Sequence, residues 1–422
     1  MSALDGLVVL TALPAIGRDL HAGVEGQAWV VTAYTLPYAA LLLTGAALGA
    51  RFGRRRMYMI GLTVFTLASA AAASVRSIDA LIVMRVLQGS GEALVLPLNL
   101  PIVTAAVSAK RRGAAIGALG ALEGVAIVAA PIVGGAITQN LSWQWIFWIN
   151  VPVGVILVPL IRWALDEGRG TAVRLDLVGV ALSAAGLFGV VAGLLLASPL
   201  AFAAGVLGLI AFVGWELRTP TPAFPIRLLR LPVFAMSNLA GLLMYAGLFG
   251  AIFLLLRYFQ LTLGFSPLST GLRILPWTGL VILIAPVVGA LSDRIDARRI
   301  ITVGLALQAI GLAALTAAVA TGASYAWFLP GMVLCGAGMT AYIAPSGNLA
   351  MSAAPEQHRG PAAGALTTTR QLGLVLGIAT LTVMSTTLSL SAALWTAVAV
   401  LVAATAAGAL ARDRRLVPLA TR

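Results

Sequence analysis

The stretch "AALGARFGRRR", residues 46–56, returns in altered form as "GALSDRIDARR", residues 289–299. Both copies run small-x-Leu-small-x-Arg, both end in a basic cluster, and 243 residues separate them (289 − 46). Each closes a long apolar run and opens a charged turn. The spacing divides the chain into two like-oriented halves, residues 1–165 and 232–422, with residues 166–231 inserted between them.

Outward from these copies, apolar runs of about 20 residues, enough to cross a ~30 Å hydrocarbon core, fall at 27–49, 57–75, 80–106, 113–138, 144–165, 174–197, 199–217, 232–259, 268–291, 299–320, 325–352, 361–386 and 387–411. With the opening segment they predict about fourteen helices, six per half and an extra pair between the halves. Sixty per cent of the 422 residues are hydrophobic and 10% are charged, with a mean hydropathy of +1.01; soluble domains hold roughly 45–50% apolar residues. The runs are continuous, whereas barrel strands would alternate over about ten residues. The expected fold class is an all-α polytopic membrane protein. Parallel repeats of this kind build transporters that rock about a midplane site.

Arginine placement orients the helices. With both termini cytoplasmic, 21 of the 27 basic residues fall in cytoplasmic segments, four (Arg18, Arg76, Arg257, Arg273) fall outside and two (Arg85, Arg370) lie within spans. That asymmetry fits the positive-inside rule for a multi-pass protein of the cell's inner (plasma) membrane. The formal charge of +13 then reflects topology and contact with anionic lipid, and no nucleic-acid partner is expected.

Several chemistries are excluded by missing residues. The only lysine, Lys110, follows Ala109, so no Gly-Lys pair exists to build a phosphate-cradling loop. One cysteine, Cys335, and two histidines, His21 and His358, supply neither an intrachain disulfide nor a metal cluster. No enzyme and no metal site are expected.

At these residues the chain resembles the major facilitator superfamily, specifically its fourteen-span drug:proton antiporter branch, over almost its whole length. The loop after the second span matches the family pattern at Arg51, Gly53, Arg54 and Arg55, while Ala46 and Ala50 replace the expected glycine and aspartate. The second copy keeps Gly289, Asp293 and Arg294 and places Asp296 where glycine is expected. In the family the loop aspartate anchors a charge network clasping the two halves on the cytoplasmic side; its replacement by Ala50 implies a looser latch. "RVLQGSGEALVLP" (85–97) is similar to the fourth-span motif at Arg85, Gln88 and Gly89, and "GALGALEGVAIVAAPIVGG" (117–135) to the fifth-span antiporter motif at Gly117, Pro131, Gly134 and Gly135. The latter motif marks exporters. "WQWIFWINVPVG" (143–154) and "YFQLTLGFSPLSTGLRILPWTG" (258–279) tie the chain to the same branch.

Charges within the spans are the candidate site. An arginine in a span costs on the order of 3 kcal/mol unless it is paired or faces water, so Arg85 needs a carboxylate. Glu92 lies seven residues on, about 10 Å along a helix and too far for direct contact. Glu123, mid-span, is a second candidate proton carrier. "LDGLVVLTALPAI" (4–16) resembles the branch's first span, in which an apolar lead-in of about half a helix places the acid deep in the membrane. That lead-in is missing, so a start assigned too late or a truncation is expected, with a short first helix as the alternative. In a complete chain Asp5 faces the cavity with Arg85 as its partner; otherwise it is a solvated acid. Arg370, in "TTTRQLGLVLGIA" (367–379), could bind an anion, pair with a carboxylate or snorkel to the surface.

The resemblance implies export of amphipathic organic compounds in exchange for protons by alternating access. The partners are a small organic substrate, protons and the bilayer; no cofactor is needed, the proton gradient supplies the energy, and a monomer is expected. Proton coupling is assigned to Asp5, Arg85, Glu92 and Glu123, with Gln88 and Arg370 in the cavity or pairing. The alternatives are an uptake symporter on the same fold and a non-transporting membrane receptor.

Overall fold

The computed structural model describes residues 2–108, 111–168, 176–220, 222, 224–292 and 294–411. Lys110, Arg169, Arg174, Asp293 and the C-terminal arginines lie outside these. Among the described residues there are helices and no strands. The first six are α1 (Ser2–Asp19), α2 (Val24–Phe52), α3 (Arg54–Ala72), α4 (Ile78–Ala106), α5 (Arg112–Asn140) and α6 (Trp145–Ala164). A hairpin follows, α7 (Leu177–Leu195) and α8 (Pro199–Arg218). The last six are α9 (Pro232–Leu261), α10 (Pro267–Ser292), α11 (Ala297–Ala320), α12 (Leu329–Ala353), α13 (Arg359–Thr387) and α14 (Leu390–Leu410).

Eleven of the fourteen are long and apolar enough to cross a bilayer by length and composition alone. The other three hold charges or polar runs: α1 has Asp5, α3 opens on Arg54, Arg55 and Arg56, and α13 contains Arg370 and a run of threonines. Helix starts follow from local chemistry. The hydroxyls of Ser77, Ser198, Ser266 and Ser389 accept from the backbone N–H three residues on, satisfying one of the donors that a first turn leaves without an intrahelical partner.

Within the first six helices, α4 packs on α2 and α3, α6 on α3, and α5 on α1; within the last six, α12 packs on α11, and α9 and α11 on α14, while α13 packs on α9. The two groups meet along α2 against α13 and α5 against α10. The hairpin sits outside both: α7 rests on α2 and α13, while α8 leaves Leu200, Leu207 and Ile210 exposed, as a lipid-facing surface requires.

The two ends of the bundle differ. At the end holding the α9–α10 turn, the halves are tied by polar contacts. Gln260 Nε2 donates to the Thr11 carbonyl at 2.9 Å, the Leu268 N–H donates to Gln139 Oε1 at 3.3 Å, and the Arg257 guanidinium donates to Gln27. At the opposite, arginine-rich end, α5 presents an exposed face from Gly117 to Glu123, and nothing stands within 4 Å of where a side chain at Gly117, Gly120 or Gly124 would begin. Gly289 of α10 is equally open. Helix α5 is thus closed against α1 and α10 at one end and open at the other, while α2 and α13 stay in contact toward that open end, with Leu43 against Gly364.

A candidate proton and substrate site

Arg85, on α4, is 1% exposed. Its Nη1 donates to Asp5 Oδ2 at 2.6 Å and to Gln88 Oε1 at 3.0 Å, and its Nε donates to the Val30 carbonyl at 3.1 Å. The second Asp5 oxygen accepts from Asn150 Nδ2 at 2.8 Å, and Gln88 Nε2 donates to Ser69 Oγ at 2.7 Å. The guanidinium also lies 4.2 Å from the centre of the Tyr34 ring, a cation–π contact that strengthens as water is removed. Helices α1, α2, α3, α4 and α6 thus converge on one charge, and the ion pair has its further hydrogen bonds in place, the condition for holding two charges in a low-dielectric interior.

Asp5 is therefore a buried partner of Arg85 and not a solvated acid. Asn150 and Tyr34 were not singled out by sequence reasoning. Asn150 was findable as the one amide in the apolar stretch "IFWINVPVG"; Tyr34 carried no signal among the aromatic residues of the span.

The other acids occupy different places. Glu92, two turns along α4, is 2% exposed and lies near Tyr34 and Tyr38. Glu123 is exposed on α5, on the face that opens at the arginine-rich end. Arg370 is far along α13. Its Nη2 donates to Ser346 Oγ at 2.6 Å, and the rings of Tyr342 and Tyr245 lie 5.5 and 5.9 Å from its guanidinium carbon. It pairs with no carboxylate among the described residues and does not snorkel.

The antiporter-motif residues divide between the two ends. Pro131, Gly134 and Gly135 are buried where α5 crosses α1 and α10. A Cβ on Gly135 would stand 2.5 Å from the Pro267 carbonyl, and one on Gly134 would stand 2.8 Å from the Val8 carbonyl. Only glycine lets three backbones approach this closely. Gly117, at the other end, touches nothing.

The two basic loops reveal the repeat in atomic detail. Gly53 adopts φ 105°, and its missing side chain leaves room for the Glu167 carboxylate, which accepts from the N–H groups of Arg55 at 3.0 Å and Arg56 at 3.2 Å. Arg55 Nη1 donates to the Leu165 carbonyl at 2.7 Å, tying the start of α3 to the end of α6, and the Arg54 N–H donates to the Gly168 carbonyl at 2.9 Å. In the second half Arg298, 243 residues on (298 − 55), donates from Nη1 to the Ala409 carbonyl at 3.3 Å, tying α11 to the end of α14. Asp296, at the position equivalent to Gly53, caps α11 by accepting from the Arg298 N–H at 2.9 Å. Each half closes its own third helix onto its own sixth with an arginine and a carboxylate. Arg51 lies over the Phe52 ring at 5.2 Å and Arg294 is exposed; Asp293 is outside the described residues.

The Major Facilitator Superfamily sequence profile matches residues 1–378. The puromycin resistance protein pur8 of Streptomyces alboniger is 34% identical over 91% of this chain and 79% of its own length, and the tetracenomycin C resistance and export protein of Streptomyces glaucescens is 32% identical over 91% and 73%. The crystal structure of a peptide transporter, POT, superposes with a TM-score of 0.73 at 16% identity, covering 97% of this chain and 91% of its own, a likeness of fold. The arrangement of helices, the repeat and these relatives make the chain a multi-pass membrane protein belonging to the Major Facilitator Superfamily.

Proposed function

We propose that this protein exports amphipathic organic compounds across the inner (plasma) membrane in exchange for protons, by alternating access, with both termini cytoplasmic. The observation that carries the reading is the asymmetry of α5. Its motif glycines close the bundle against α1 and α10 at one end, and its other end is parted from α10. On the positive-inside rule the arginine-rich open end is cytoplasmic, so the conformation is inward-facing and ready to load substrate. The named activities of the antibiotic-resistance relatives support export as the direction.

Coupling requires that the proton and the substrate favour different conformations. Protonating Asp5 at Oδ2 would remove the charge that Arg85 balances and loosen α1 from α4 and α6, in the helix that also forms the outer seal. Glu92 and Glu123 are the alternative carriers in the first half, one buried and the other on the open face. Substrate loads when the carrier is deprotonated from the cytoplasm and leaves when it is protonated from outside.

The test is a panel of toxic compounds in everted vesicles energised by a proton gradient. Uptake of at least one compound into the vesicles, abolished by a protonophore, is the expected result. Movement in the opposite direction would establish the uptake symporter, and no gradient-dependent movement of any compound would overturn transport.

A further inference from the structure

The chain places two arginines within its spans, and they differ in one respect. Arg85 is neutralised by Asp5, whereas Arg370 donates to Ser346 Oγ and lies against two tyrosines, with no carboxylate paired to it among the described residues. Its Nε is buried without a hydrogen-bond partner. The Tyr342 hydroxyl, on a side chain with no exposed surface, lies beside both Arg370 and Ser346. Ser237, which shares a small cavity with Tyr342 and Ser346, also has an unpartnered buried hydroxyl.

No carboxylate in its own half can reach Arg370 from within the membrane. From Pro232 onward the acids are Asp293, Asp296, Glu356 and Asp413, all outside the apolar runs. A buried cation without a counter-charge is unfavourable by several kcal/mol, and cation–π contacts offset only part of that. The site also adjoins the contact between the halves, because Tyr38 of α2 neighbours both Tyr245 and Gln371. Arg370 itself keeps part of its surface accessible.

We propose that Arg370, Tyr342 and Ser346 form a receptor for the anionic oxygen of a transported compound, a carboxylate or phenolate, with Tyr245 against its aromatic or apolar body. The assignment rests on the transport reading above and specifies its substrate class: acids, rather than cationic drugs. An anion accepts from the unspent Nε–H and from the Tyr342 hydroxyl and supplies the missing charge. The counter-ion of Arg370 is then the cargo, as that of Arg85 is a residue of the chain.

The experiment uses the full-length protein purified in detergent, with tryptophan fluorescence quenching by an anthraquinone carboxylate and by its methyl ester. The acid is expected to bind at least about tenfold more tightly than the ester, the scale of a close charge pair at a binding surface. Arg370→Gln should abolish that preference while leaving the ester's affinity unchanged, which shows that the variant is folded, and Arg370→Lys should retain part of it. Equal affinities, a preference that survives in Arg370→Gln, or no binding of the acid would overturn the site. Vesicle transport separates the two readings. Arg370-dependent acid binding without gradient-driven movement sinks export and leaves the anion site, whereas export with no acid preference does the reverse.

Discussion

Asp5 and Arg85 are 80 residues apart in sequence and 2.6 Å apart in space, both essentially without exposed surface. The pair is held from outside by Asn150, Gln88 and the Val30 carbonyl. It fastens α1, the helix that also contributes Val8 and Thr11 to the seal, to the rest of its half.

Removing one member should therefore do more damage than removing both. Arg85→Gln leaves Asp5 buried without its counter-charge, a loss of about 3–5 kcal/mol for an uncompensated buried charge. Asp5→Asn strands the guanidinium in the same way. The double variant Asp5→Asn/Arg85→Gln is expected to recover at least half of the loss, and thermal unfolding of the four proteins in detergent gives the coupling energy. Strictly additive losses would mean that the pair is not a unit.

The seal depends on Gly135 having no side chain. Gly135→Val would drive a branched side chain into the Pro267 carbonyl and hold α5 away from α10. A cysteine at Thr11 should become labelled from the α9–α10 side at least tenfold faster, about 1.4 kcal/mol in the conformational equilibrium, with export falling in parallel. Unchanged labelling would separate this glycine from the gate.

Glu167 supplies a cap from outside the helix that it caps. Glu167→Ala should destabilise α3 by about 1 kcal/mol, the typical value of an N-terminal cap, and Glu167→Gln by less. The Arg55–Glu167 ion pair itself, at 3.8 Å with side chains 30% and 26% exposed, adds little in solvent. Raising salt should therefore leave the effect of Glu167→Ala nearly unchanged; a loss that vanishes in high salt would reassign it to the ion pair.

If export is coupled to protons as proposed, proton release on adding a transported compound identifies the carrier. Glu92→Gln or Glu123→Gln keeps shape and removes titration. The variant that carries the coupling should bind compound and release no proton, measured with a pH dye on purified protein. If both release protons like the parent, Asp5 is the carrier, and Asp5→Asn should be the silent one.

Much of this was legible in the sequence because membrane insertion is a one-dimensional problem. Hydrocarbon thickness fixes run length, anionic headgroups fix where arginines fall, and the 243-residue repeat of basic turns marks α3 and α11 as equivalent helices. The same physics required a carboxylate for Arg85, and the resemblance of the opening stretch to a first span pointed to Asp5, with a solvated acid as the alternative. It fell short where neighbours are set by packing across the bundle. The amide of Asn150, the ring of Tyr34 and the linker carboxylate of Glu167 sit 145 residues from Asp5, 4.2 Å from Arg85 and 112 residues from Arg55 respectively. No helical period encodes such separations.

By itself, then, the sequence determined the class, the number of helices and the demand for charge compensation, since each follows from transfer energies of single segments. Only the tertiary structure decided that Arg85 is paired with a carboxylate while Arg370, among the described residues, is not, and that Gly134 and Gly135 pack α5 tightly on α1 and α10 while Gly117 faces open space. Those outcomes depend on which helix faces meet, and two helices of equal hydropathy meet by the fit of small residues and polar partners, which a hydropathy pattern does not record.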